Sequence, residues 1–266
     1  MHDVNIGPQG PITMGKVDKV IGLTNWHANH LQKLYNLDES KMAVIPNGID
    51  LSRFPFEKRN NNPYKFVYSS SPDRGLEQLL SMWSMIKNRY PAAELHIFYG
   101  WEMINKILEF YNASQGNNHP LQLLKNKIFH HIQYLGGEEA GIYQRGRVSQ
   151  DELAKELLTS GVWAYPTSFM ETFCITALEQ QAAGVIPVVS NLAALQETVA
   201  PVYRKVDGWP GNSDYQRRYL IELAETLDNI ESKETEEKRI EARKFVEDFT
   251  WESSYQSWAK LIESHI

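Results

Sequence analysis

Glu171 and Glu179 stand eight positions apart in the stretch ETFCITALE. Two carboxylates can serve as acid and base across one scissile bond, or they can grip two parts of one ligand. With Thr172 as N-cap and Gly184 as stop signal, the spacing predicts a helix from about Phe173 to Ala183. Eight residues of helix span about 12 Å. Paired glycosidase carboxyls sit roughly 5–9.5 Å apart, so a hydrolytic pair is disfavoured, unless Glu171 folds back from its loop. The spacing suits one extended ligand touched at two places. The free amides of Phe173, Cys174 and Ile175 between them would receive an anionic group. On spacing alone, two unrelated glutamates are the simpler reading.

A second candidate is SSPDRG, residues 70–75. It falls where an apolar run turns amphipathic and offers Ser70, Arg74 and Gly75 at a helix start. Serine hydroxyls, helix-start amides and an arginine suit a phosphate. A Ser-Pro-Asp helix cap with a solvated arginine explains the same residues. Neither GxGxxG nor GxxxxGK[ST] occurs, which leaves dinucleotide and P-loop readings without support.

The elements that would position these residues alternate along the chain. Strands are expected at 16–25, 42–50, 65–71, 93–100, 141–149, 161–168 and 185–190. Helices are expected after most of them, at 26–37, 75–91, 101–112, 121–136 and 150–160. The segments 59–63 and 113–120 read as loops. Such alternation implies an α/β fold with a doubly wound parallel sheet. Ligands of such sheets gather beyond the carboxyl ends of the strands, where residues 70–75, 146–150 and 166–174 all fall. Residues 212–246 are charged and helix-forming. The segment 250–266 is an amphipathic helix whose Trp251, Tyr255, Trp258 and Ile262 recur at helical spacing, an expected core-facing stripe.

Composition narrows the class. The 266 residues carry 27 basic and 33 acidic side chains, a net charge of −6, which gives no electrostatic case for nucleic acid. A single cysteine, Cys174, rules out an internal disulfide and fits a reducing compartment. No apolar run approaches a membrane span, and MHDVNIGPQG lacks the regions of a signal peptide. The expectation is a cytoplasmic protein, free or peripheral at a membrane. The eight histidines include His27 with His30 and the adjacent His130 and His131, but no third ligand arrives at a metal spacing.

Taken together and in order, these motifs resemble the C-terminal, nucleotide-sugar-binding half of GT-B glycosyltransferases, specifically the retaining group 4 family. VIPNGIDLSRF (44–54) resembles the exit from the first domain and YSSSPDRGLEQLL (68–80) the phosphate-contacting strand-loop-helix. GRVSQDELAKEL (146–157) resembles the loop beside the nucleobase. Residues 165–190 resemble the donor signature with its E-x7-E pattern, and TWESSYQSW (250–258) the terminal helix that crosses back. The resemblance implies a Rossmann-like domain over 44–249, a crossing helix over 250–266, and at 1–43 the tail of an acceptor-binding domain.

It also implies roles. Glu171 would bond hydroxyls of the transferred hexose, and Glu179 the ribose. Amides near Phe173, Cys174 and Ile175, flanked by Thr172, would hold the sugar or diphosphate. Arg74, at the family's usual lysine position, would bind the diphosphate with Gly75, and Glu171 and Arg74 would serve catalysis. Ser69 or Ser70 would offer a neutral hydrogen bond where many members carry a second basic residue. Backbone near Arg147 and Val148 would select the base. Transfer would proceed with retention, from a nucleoside-diphosphate sugar to a glycan, lipid or protein acceptor, with no metal or other cofactor. The short N-terminal part implies two alternatives: a non-catalytic nucleotide-sugar-binding module, or one half of a two-chain enzyme whose N-terminal domain is a separate chain. A nucleotide-sugar epimerase is a third reading.

Overall fold

The computed structural model describes residue 5 and residues 16–56, 62–115 and 119–264. The segment tested for a signal peptide, apart from Asn5, lies outside these residues, as do residues 59–61 and 116–118 of the two expected loops.

Six parallel strands form the main sheet: β3 (Asn62–Tyr68), β4 (Glu94–Ile97), β5 (Ile142–Gln144), β6 (Ser160–Tyr165), β7 (Ile186–Ser190) and β8 (Lys205–Val206). Their spatial order is β5-β4-β3-β6-β7-β8. Chain order therefore runs outward from β3 in one direction and outward from β6 in the other. The β3–β6 junction is the topological switch point, where a crevice opens beyond the strand ends. Every residue of β6 is buried, as expected of a parallel strand covered on both faces. Behind the crevice stand aromatic rings: Trp163 stacks on Tyr165 at 5.0 Å, and Tyr68 meets Tyr165 at 6.0 Å.

A smaller parallel pair, β1 (Val20–Gly22) and β2 (Met42–Val44), is joined by α1 (Asn25–Tyr35). Val20 and Leu31 give this βαβ unit its own small core, whereas Leu23 and Ile49 pack into the main one. Helices α2 (Leu76–Arg89), α3 (Glu102–Gln115), α4 (Pro120–Leu135), α5 (Gln150–Leu158), α6 (Ile175–Ala182), α7 (Leu195–Thr198), α8 (Ser213–Asp228), α9 (Lys233–Val246) and α10 (Trp251–Glu263) complete the described chain. None is long and apolar enough to cross a membrane.

Four expectations need correction. Asn62 and Pro63 belong to β3 rather than a loop, because the Asn62 amide donates to Thr159 O at 3.1 Å beside the Asn62–Ser160 pairing. Helix α3 continues through residues 113–115. The strand expected over 141–149 stops at Gln144: β4 ends at Ile97, whose carbonyl takes the Arg145 amide, and the pairing of the two strands ends there. The fourth concerns α10. Its Trp251, Tyr255, Trp258 and Ile262 are between 43% and 62% exposed, and Ser254 is its buried residue. The chain around it is fixed at its start, by the Ile49–Thr250 bridge and the Ile49 amide on Phe249 O. The stripe beyond lies open among the described residues.

Candidate functional site

The crevice is built from the loops after β3 and β6. After β3, Ser69–Ser71 lead through a tight turn at Pro72–Arg74 to Gly75, where α2 begins. Gly75 has φ +120°, and a Cβ there would stand 2.8 Å from Pro166 O. Only glycine permits both the turn and this contact between the two loops. The contact brings Arg74 to Glu171: its Nη1 lies 3.4 Å from each carboxylate oxygen. The Tyr165 hydroxyl donates to Glu171 Oε1 at 2.7 Å, and the Arg74 guanidinium lies 4.1 Å from the Phe169 ring centroid.

Charge in this cluster follows its surroundings. Burial, with the Glu171 carboxylate alongside, holds the Tyr165 phenol protonated well above its usual range, so it can only donate to that carboxylate. For Arg74, burial opposes the charge, but the carboxylates of Glu171 and Asp73 outweigh it and the guanidinium stays ionised. Burial likewise pushes the Cys174 thiol well up, which makes it an inert packed group rather than a nucleophile.

Helix α6 starts at Ile175, later than expected, and its N-cap is Cys174 rather than Thr172. Cys174 sits in the left-handed region at φ 64°, and the Thr172 carbonyl accepts from the Thr24 hydroxyl at 3.1 Å. That leaves no regular turn before Cys174. The Ala177 amide turns back to Cys174 O, and the first-turn amides at Ile175 and Thr176 have no acceptor one turn earlier in the helix. A cavity of about 280 Å³ gathers Ser69, Ser70, Arg74, Glu171 and the stretch from Thr172 to Thr176.

Glu179 stands one turn into α6, beside a second cavity of about 630 Å³ lined also by Arg53, Gln150 and Trp251. Ile175 lines both cavities, so they lie next to one another on the two sides of this residue. The Glu179 carboxylate is half-buried and has no ion-pair partner among the described residues; burial raises it to about 7, with Arg53 pulling the other way. Arg53 is instead bonded to Asp50 and Asp151.

Most of the sequence-derived residues thus converge. Gly75 acts behind the cavity wall. Arg147 is exposed, Val148 packs against the core, and neither lines the two cavities; their segment reaches the second one through Gln150. Sequence reasoning missed Leu23, Asn47 and Tyr99 on the first cavity. It also missed Tyr165, and Gln180, whose fully buried amide donates to Ser69 Oγ at 3.2 Å. Tyr165 and Gln180 lie inside the quoted signature, and Asn47 inside VIPNGID, which was the available signal. Among the described residues no group of three or more His, Cys, Asp or Glu could hold a metal ion.

Comparison with known proteins agrees with this architecture. A family model described as Glycosyltransferase Family 4 matches residues 9–53, the segment that contains β1, α1 and β2. No curated protein matches the sequence. Among solved structures, a glycosyltransferase from Rickettsia africae is 16% identical with a TM-score of 0.76, over 98% of this chain and 68% of its own. Anabaena HepE in complex with UDP-glucose is 15% identical with a TM-score of 0.72, over 99% of this chain and 71% of its own. The GtfA/B complex is 14% identical with a TM-score of 0.69, over 97% of this chain and 47% of its own. The chain therefore spans about half to two thirds of these proteins. The likeness shows the fold, a GT-B glycosyltransferase fold with its Rossmann-like sheet.

Proposed function

We propose that this GT-B chain is the donor-binding part of a glycosyltransferase, moving a hexose from a nucleoside-diphosphate sugar to an acceptor with retention and without a metal. The observation that carries the reading is the convergence of Arg74, Glu171 and the α6 N-terminus on one cavity, which shares Ile175 with the cavity beside Glu179. Glu171 accepts from sugar hydroxyls. Arg74 and the amides at Ile175 and Thr176 hold the diphosphate, and Glu179 accepts from the ribose. As the glycosidic bond breaks, negative charge gathers on the leaving diphosphate. A fixed guanidinium and helix amides stabilise that charge more in the transition state than before it, the task a metal would otherwise perform.

HepE is described in complex with UDP-glucose, which makes UDP-glucose the first donor to try. In this reading residues 1–43 end an acceptor-binding domain, 44–249 bind the donor and 250–266 form the crossing helix. The acceptor is a glycan, lipid or protein, and the site of action is the cytoplasm or a membrane surface facing it.

A second reading is a donor-binding module, or one half of a two-chain enzyme. The open stripe on α10 favours it, as a surface that a partner would cover. Calorimetric titration with UDP, GDP and ADP, then with their glucose or mannose conjugates, tests the donor site; absence of binding by all of them refutes it. Turnover by the isolated chain separates the two readings.

A further inference from the structure

Glu197, on α7, reaches across to the first turn of α1. Its Oε2 accepts from the Asn25 amide and the Asn25 side chain, each at 2.9 Å, and its Oε1 accepts from the Trp26 amide. Helix α1 has no acidic residue in its own first turn. Glu197 therefore supplies, from 172 residues away, the negative charge that a helix N-terminus favours.

The same two segments hold the backbone of the cavity loop. The Ala194 amide, three residues before Glu197, donates to Glu171 O at 3.1 Å. The Thr24 hydroxyl, beside Asn25, donates to Thr172 O at 3.1 Å while accepting from the His27 amide at 3.1 Å. A closed circuit results: Glu171 to Ala194, along the chain to Glu197, across to Asn25 and Trp26, back to Thr24, and on to Thr172. Ala193, at φ 51°, turns the chain so that the Ala194 amide can enter the circuit. Thr24 is 4% exposed and Ala194 fully buried, so water does not readily replace the bonds these two residues make, while the Glu197 bonds to Asn25 lie at the exposed edge of the circuit.

We propose that Glu197 is a positioning residue for the sugar end of the donor site, acting through this circuit on Glu171. The inference rests on the donor-site reading above. The circuit clamps two successive peptide carbonyls, those of Glu171 and Thr172, and it ties the small β1–α1–β2 unit, with Leu23 and Asn47 just after its strands, to the same cavity. Glu179 lies outside the circuit. Loss of Glu197 should therefore be felt where the sugar binds and hardly at all where the nucleoside binds.

The experiment compares Glu197→Ala, Glu197→Gln and Thr24→Val with the unaltered chain. Calorimetry measures UDP and UDP-glucose, or whichever nucleotide pair the unaltered chain binds. Hydrogen exchange follows the Asn25, Trp26 and Ala194 amides. The expected result is faster exchange at all three amides and affinity for the nucleotide sugar down about tenfold in Glu197→Ala, with the bare nucleotide within about threefold. Glu197→Gln, which keeps one acceptor oxygen, should recover part of the loss. Thr24→Val breaks the circuit elsewhere and should show the same sugar-selective loss. Equal losses for both ligands, or faster exchange with sugar affinity unchanged, would overturn the positioning role and leave the donor-site reading standing. An unaltered chain that bound no nucleotide sugar would remove that reading, and the inference with it.

Discussion

Arg74 and Glu171 face each other in the crevice, with Nη1 at 3.4 Å from both carboxylate oxygens. The cation assigned to the diphosphate thus already partners the acid assigned to the sugar. A donor must draw Arg74 toward its phosphates, which leaves the carboxylate to the sugar hydroxyls. Arg74→Ala should weaken every nucleoside diphosphate and its sugar conjugate, by about 1.5–3 kcal/mol for a charged hydrogen bond. Unchanged calorimetric affinity for UDP and GDP alike would remove Arg74 from the site.

Tyr165 is the other partner of Glu171, and its donated bond is 2.7 Å long. Tyr165→Phe keeps the ring wedged between Trp163 and Tyr68 but leaves a 6%-exposed carboxylate short of a donor. We expect a lower melting temperature, equivalent to about 1–3 kcal/mol, and weaker nucleotide-sugar binding with bare nucleotide little changed. Thermal melts and the same titrations check both parts.

Glu179 makes binding depend on pH. Its carboxyl titrates at about 7, and ribose hydroxyls would donate to the ionised form. Nucleotide affinity should fall as pH drops through 7, and Glu179→Gln should lose that dependence together with part of the affinity. A pH series of titrations in which wild type and variant run parallel would exclude the ribose role.

The same raised value has a stability consequence of defined sign. The ordinary value is 4.5, so between 4.5 and about 7 the folded chain holds a proton that the unfolded chain releases. Stability from this group is therefore present at low pH and lost as pH rises through that window. Glu179→Gln should melt higher than wild type at about pH 8 and coincide with it near pH 4. Coincidence of the two melts at both pH values would show that burial costs this carboxylate nothing.

Trp258 and Tyr255 lie 43% and 62% exposed on α10. Replacing each with Ser should shift the stability of the isolated chain by no more than about 0.5 kcal/mol. A buried stripe, as the helical spacing suggests, would cost about 3–5 kcal/mol per large aromatic. Denaturant melts of the two variants distinguish these cases.

Much of the fold is legible before any coordinates. FVY, ELHI, GVWAY and IPVVS are apolar runs because parallel strands are covered on both faces, and four of the six sheet strands follow from them. Their alternation with amphipathic segments implies the doubly wound class. The outward order from β3 and β6 does not follow, since no local signal states which strands are neighbours. In the site, Arg74, Glu171 and Cys174–Ile175 were legible because chemistry collects just after strands. Leu23, Asn47 and Tyr99 were not. Each enters the first cavity from an element distant in sequence from the Glu171 loop.

What the residues dictate locally is the identity of the elements: apolar period, turn glycines, and caps such as Ser149 with Glu152 at the start of α5. These signals act over about four residues, and they survive folding almost unchanged. What depended on folding is where competing long-range partners won. The Thr24 hydroxyl takes the Thr172 carbonyl from 148 residues away, and α6 begins only after Cys174. The spacing of Trp251, Tyr255, Trp258 and Ile262 made α10 amphipathic, but whether that face is covered depends on what stands opposite. Periodicity records which side of a helix is apolar, while burial belongs to a pair of surfaces.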